Sequence, residues 1–138
     1  VDKIPLNRIE IDRRRAAIMA RCSDLDPKYF KGVVFTNAPR FVDKARIFKN
    51  AIFLVGTDTI NRLLDVKYYN NDGRAMHRSI DDIKTLGCRF MIFPRSGIAL
   101  TDSASTSINI DTDYRMFSMV HDFYSNGYSS SDIRKNQV

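Results

Sequence analysis

Three hydroxyls and a guanidinium lie together near the C-terminal end of the sequence. In Tyr128-Ser129-Ser130-Ser131-Asp132-Ile133-Arg134, the serines stand before a helix start and Arg134 follows three residues after the last of them. A serine oxygen at such a start accepts a hydrogen bond from a first-turn N–H. The free N–H groups and the helix dipole attract anions. A guanidinium adds a planar fork that fits phosphate. The segment therefore has the parts of a phosphate cradle. The same residues also suit an ordinary serine-capped helix with a solvated arginine, so the motif gains meaning from what lies upstream.

Upstream, Ala51-Ile52-Phe53-Leu54-Val55 is a short apolar run that ends in Gly56-Thr57-Asp58-Thr59. Ile60-Asn61-Arg62-Leu63-Leu64-Asp65 then reads as helix. Strand, turn and helix in this order make one unit of a parallel α/β sheet. Ligands in such sheets bind beyond the carboxyl ends of the strands. Gly56 lets backbone approach a ligand closely, and the Asp58 carboxylate can accept hydrogen bonds from a ribose. The alternative is local: Gly56 makes the turn and Asp58 caps the helix. A second buried run leaves through Phe93-Pro94-Arg95-Ser96-Gly97.

The elements that must position these residues can be read along the chain. Asn7 with Glu10 three residues on is close to a capping box and opens a helix over 8–22. Ser23 to Pro27 is a polar turn. Val33-Val34-Phe35-Thr36 reads as a buried strand, broken by Ala38-Pro39. A helix follows over 41–48, with Phe41, Ala45 and Phe48 at helical spacing and the two phenylalanines in the core. The strand over 51–55 and the helix over 57–64 come next. Asn70-Asn71-Asp72-Gly73 is a turn. Residues 74–86 form a helix with Met76, Ile80 and Ile83 on one face, ended by Gly87. Cys88 to Phe93 is a third strand. Residues 98–114 are a hydroxyl-rich loop with a short strand at 107–110, and 116–121 form a short helix. The alternation implies an α/β fold, parallel strands and right-handed crossovers. No repeat or linker divides the chain, so residues 1–138 read as a single domain.

Taken in order, Gly56-x-Asp58, Phe93-Pro94-Arg95-Ser96-Gly97 and Ser129-Ser130-Ser131-x-x-Arg134 resemble the nucleotidyltransferase superfamily. The nearest branch is the nicotinate/nicotinamide mononucleotide adenylyltransferase-like one. The stretch from Phe35 to Ala45, Lys67-Tyr68-Tyr69, the opening Val1-Asp2-Lys3-Ile4-Pro5-Leu6 and Arg13-Arg14 are similar to one subgroup of it. The resemblance implies a Rossmann-like three-layer parallel sheet and transfer of AMP from ATP to a pyridine mononucleotide, with magnesium on the ATP phosphates. It assigns Gly56 and Asp58 to the ATP ribose and Ser130, Ser131 and Arg134 to its phosphates. Arg95, Thr36 and Lys3 fall on the mononucleotide side. The family's aromatic after the Gly-x-Asp helix is often tryptophan; Tyr68 or Tyr69 stands in its place here.

The family's catalytic His-x-Gly-His turn is absent. The two histidines, His77 and His121, lie in other contexts. The chain thus matches the C-terminal part of the family fold, without the first βαβ unit. In the family's strand order, 3-2-1-4-5, this leaves the 33–36 and 51–55 strands without their shared neighbours. Exposed apolar strand edges aggregate, so the chain is expected to need its missing N-terminal part or a partner chain. The alternative function is a non-catalytic scaffold subunit of a larger assembly that keeps the fold, with or without nucleotide binding.

Composition sets the outer bounds. A chain of 138 residues, 43% hydrophobic and 28% charged, can build one real core. No apolar run approaches the roughly 20 residues that cross a bilayer. Cys22 and Cys88 are far apart and belong to no metal-ligand spacing, which points to buried free thiols in a reducing, intracellular compartment. The net charge of +6 comes entirely from the first 50 residues, which hold 12 Lys/Arg against 6 Asp/Glu. Such an excess attracts phosphates or an acidic partner, or is a solvated helix face. The Arg13-Arg14-Arg15 run lacks the interleaved aromatics of a nucleic-acid surface, so nucleic acid is not the expected partner.

Overall fold

A computed structural model of the chain describes residues 6–94 and 116–120. The chain divides into two units, Val1–Pro39 and Arg40–Val138. In the first, helix α1 spans Arg8–Arg21. Asn7 caps it as its spacing requires: the side-chain oxygen accepts from Glu10 N–H at 2.8 Å. The Glu10 carboxylate does not reach back to complete a capping box. It accepts instead from Arg13 and Arg14, at 2.8 and 2.7 Å. No residue of α1 is buried, and Ile9 is 80% exposed. Cys22, expected to be buried, is only half-buried.

Residues 33–36 are not a strand. They carry no regular secondary structure, and Val34 is exposed. β-branched residues favour a pleated surface but need a neighbouring strand to hydrogen-bond, and none is provided among the described residues. Phe35 finds a different partner: the Arg15 guanidinium lies 5.4 Å from its ring centroid.

The second unit is an α/β sheet layer. Its elements are α2 (Phe41–Ile47), β1 (Ile52–Gly56), α3 (Thr57–Leu63), a 3₁₀ turn (Val66–Tyr69), α4 (Gly73–Thr85), β2 (Arg89–Phe93) and β3 (Phe117–Met119). The three strands are parallel, in the order β1-β2-β3. Phe53 pairs with Phe90 and Val55 with Ile92, which puts these four side chains on one face. Helices α2, α3 and α4 cover that face with Val42, Ala45, Ile60, Leu63, Met76, Ile80 and Ile83. Phe90 is fully buried at the centre, with Phe41 edge-on at 5.2 Å and Phe117 stacked at 5.5 Å. Phe48, read as a core residue, is exposed; its backbone closes α2, the N–H donating to Lys44 O at 2.8 Å, and its carbonyl accepts from the buried Cys88 thiol at 3.2 Å.

Local chemistry fixes the helix ends. Asn70 and Asn71 both adopt the left-handed conformation that asparagine tolerates, and Asp72 then caps α4 by accepting from Arg74 and Ala75 N–H. Gly87, at φ +75°, ends the same helix.

One further expectation changes. A helix is expected over 116–121; the described part, 116–120, is instead built around β3 at Phe117–Met119, held to β2 by Phe90 N–H to Met116 O and Val120 N–H to Ile92 O. A five-residue apolar run fits either state, and the open edge of β2 decides it. The described residues of this unit form an α/β fold with three parallel strands, compatible with part of a Rossmann-like sheet. Its helices share one core on one face, and on the other face Ile52 and Leu54 are 48% and 65% exposed.

Candidate functional site

The carboxyl ends of β1 and β2 come level at Gly56 and Phe93, which are paired. Helix α3 begins at the next residue. This is the edge of a parallel sheet at which ligands are held. Gly56 has φ −85° and ψ 165°, a conformation open to any residue, so its backbone does not demand glycine. The demand is spatial. A Cβ at this position would lie 2.8 Å from Asp58 Oδ1 and 4.0 Å from the Phe93 carbonyl oxygen. The Asp58 carboxylate folds back over the strand end, and only a residue without a side chain leaves it that place.

Asp58 sits in the first turn of α3, where negative charge complements the helix dipole. It is not the cap, since Gly56 holds that position without a side-chain hydrogen bond. Between them, Thr57 is 1% exposed, and its Oγ1 has no hydrogen-bond partner among the described residues. A buried hydroxyl without a partner is uncommon and costly. Sequence reasoning passed over Thr57. The available signal was its position inside Gly56-x-Asp58, at a point where the apolar run must turn inward.

Of the residues assigned to ATP, the structure brings Gly56 and Asp58 together. Ser130, Ser131 and Arg134 lie outside the described residues, as do Lys3 and Arg95. Thr36 is exposed and belongs to the first unit. The two tyrosines divide their roles. Tyr69 packs against the core, its hydroxyl donates to Leu63 O at 2.9 Å, and burial pushes that hydroxyl above its ordinary pKa. Tyr68 is exposed, with Lys67 Nζ 5.4 Å from its ring centroid. Tyr68 is thus the ring left available for stacking.

The site offers hydrogen-bond acceptance and close approach. Among the described residues it holds no nucleophile paired with a base. No group of three His, Cys, Asp or Glu residues there is placed to hold a metal ion. A magnesium ion carried on nucleotide phosphates keeps most of its waters and needs no such cage. No helix among the described residues is long and apolar enough to cross a membrane. Comparison with family models, curated proteins and solved structures finds no match to the chain.

Proposed function

We propose that the chain carries the ATP-holding side of a nucleotidyltransferase of the pyridine-mononucleotide adenylyltransferase type. The observation that supports this reading is the Gly56–Asp58 arrangement at the carboxyl end of a parallel strand, with the carboxylate turned over a bare glycine. In this reading the ribose hydroxyls of ATP donate to Asp58, and Gly56 lets the sugar lie against backbone. Ser130, Ser131 and Arg134 hold the phosphates, with Arg95, Thr36 and Lys3 on the mononucleotide side. The mononucleotide phosphate attacks the α-phosphorus and pyrophosphate leaves. The chain's share of that chemistry is positioning and charge stabilisation. Magnesium arrives with ATP and neutralises phosphate charge.

The lack of a His-x-Gly-His turn in the sequence favours a second reading, a non-catalytic scaffold subunit of a larger assembly that keeps the fold, with or without nucleotide binding. The enzyme reading requires a nucleotide at this site and the scaffold reading does not, so binding is tested first. ATP is titrated calorimetrically into the chain, with and without magnesium, beside Asp58→Ala, with circular dichroism confirming the fold of each. Saturable binding, weakened at least about tenfold by the substitution, supports the site. A folded wild-type chain that takes up no ATP overturns the enzyme reading and favours the scaffold. AMP transfer after a His-x-Gly-His-bearing fragment is added separates the enzyme from the scaffold.

A further inference from the structure

The turn that opens α4 holds the only Asp-Gly pair of the sequence, Asp72-Gly73. Aspartate followed by glycine is the pair most prone to isomerise, because no Cβ shields the glycine nitrogen from the aspartyl carboxyl carbon. In that reaction the Gly73 nitrogen bonds to Asp72 Cγ. The hydroxyl of the carboxylic acid leaves with the amide proton as water. A second water then opens the succinimide ring. Opening at the Asp72 main-chain carbonyl leaves the chain running through Cγ, as isoaspartate. Nothing is oxidised or reduced, and the mass is unchanged.

Local geometry both restrains and permits this step. Asp72 Oδ1 accepts from Arg74 and Ala75 N–H at 2.9 and 3.1 Å. Ring closure requires the carboxyl group to leave both donors. Its other oxygen has only a long contact, 3.9 Å to Arg78, and the side chain is 51% exposed. A Cβ on Gly73 would meet nothing within 4 Å, so the pair is not crowded. The turn in front is set by Asn70 and Asn71, both left-handed, with Asn71 N–H donating to Val66 O at 2.9 Å. The restraint on the reaction is therefore the α4 cap and not burial.

We propose that Asp72–Gly73 is a site of spontaneous isoaspartate formation gated by the α4 cap. The pair is protected while Asp72 caps the helix and converts when the first turn opens. Conversion removes the cap. It also inserts a methylene into the main chain at the residue whose carbonyl accepts from Met76 N–H. Helix α4 brings Met76, Ile80 and Ile83 into the core, so the converted chain is less stable. The inference rests on this turn alone and does not depend on nucleotide binding.

The test is storage of the full chain in mildly acidic buffer, followed by tryptic mapping. Trypsin releases 68–74, cutting after Lys67 and Arg74, with Asp72 inside. Isoaspartate appears as a second form of equal mass that an Asp-specific endoproteinase does not cleave. Deamidation of Asn70 or Asn71 is set apart by its gain in mass. The folded chain should convert at least about tenfold more slowly than the chain in urea. Asn71→Val puts a β-branched residue at φ 59°, which loosens the turn without touching the reacting atoms. It should speed conversion several-fold in the folded chain and leave the rate in urea unchanged. Circular dichroism checks that the variant folds, and Asn71→Ala replaces it otherwise. Gly73→Ala, for which there is room, should cut the yield at least about fivefold in both states. A wild-type sample aged to conversion should melt about 5 °C below a fresh one, and aged Gly73→Ala should not. Three outcomes overturn the proposal: no isoaspartate at position 72 of the folded chain while the chain in urea converts, equal rates in the two states, or a folded-state rate indifferent to loosening the turn.

Discussion

The position that a Cβ would take on Gly56 lies 2.8 Å from Oδ1 of Asp58. That separation is shorter than carbon and oxygen tolerate, and the atom in the way is the end of a short side chain. Gly56→Ala is therefore expected to leave the strand–helix junction in place, because φ −85° and ψ 165° suit alanine. The carboxylate must swing away instead. Thermal stability should change by less than about 1 kcal/mol, while ATP affinity falls about tenfold. Thermal melts and calorimetric titrations of the same preparation check both halves. Unchanged affinity would mean that Asp58 does not hold the nucleotide.

Thr57 offers a prediction of opposite sign. Its Oγ1 is buried without a partner among the described residues. Exchanging such a hydroxyl for a methyl removes an unmet desolvation cost and keeps the shape. Thr57→Val should stabilise the ligand-free chain by about 1 kcal/mol, read as a rise in the urea midpoint at constant slope. A loss of stability would show that the hydroxyl is satisfied after all.

Gly87 is the position where glycine is required on both conformational and steric grounds. Its φ is +75°, and a Cβ there would run into the Asn50 side-chain oxygen. Asn50 is itself left-handed and donates its N–H to Leu86 O at 3.0 Å. Gly87→Ala should cost about 2 kcal/mol or more. Adding Asn50→Gly removes the collision and leaves only the backbone penalty, so the double variant should recover part of the loss. Chemical denaturation of the two variants measures the difference.

These positions show what was legible in the sequence and why. Gly87, the Asn70-Asn71-Asp72 turn and the Asn7 cap were readable because each acts within a few residues of itself. Strand β1 and helix α4 were readable from periodicity: Met76, Ile80 and Ile83 repeat at helical spacing and all three are buried. Val33–Thr36 and Met116–Val120 were misread because each is a short apolar run whose state is set by a distant neighbour. Phe117–Met119 found the edge of β2, and Val33–Thr36 found no strand among the described residues. At the site, Gly56 and Asp58 were legible as letters. The contact between them was not, since it depends on a side-chain rotamer.

Helix α1 carries a pH dependence of its own. Hydrogen bonds from Arg13 and then Arg14 lower the Glu10 pKa from 4.5 to about 2. A carboxylate whose folded pKa is depressed adds stability that is fully present above its unfolded value. That contribution is lost as pH falls through the folded value. The helix should therefore hold its content down to about pH 4.5 and lose it towards pH 2. These groups are exposed, so salt should flatten the transition. Far-ultraviolet circular dichroism against pH follows it, and Glu10→Gln should abolish the component that tracks this range.

Alternation along β1 gives the sharpest contrast between neighbouring residues. Phe53 and Leu54 are adjacent, equally apolar and in the same strand. Phe53 packs edge-on against Phe41 at 5.3 Å and lies over Phe90, whereas Leu54 is 65% exposed on the opposite face. Phe53→Lys puts a charge against the core and should cost about 3 kcal/mol or more. Leu54→Lys meets only solvent in the chain alone, and should leave the melting temperature within about 2 °C while raising solubility, because a lysine protects an open edge. If the second substitution unfolds the chain as well, the face that carries Leu54 is covered in the folded chain.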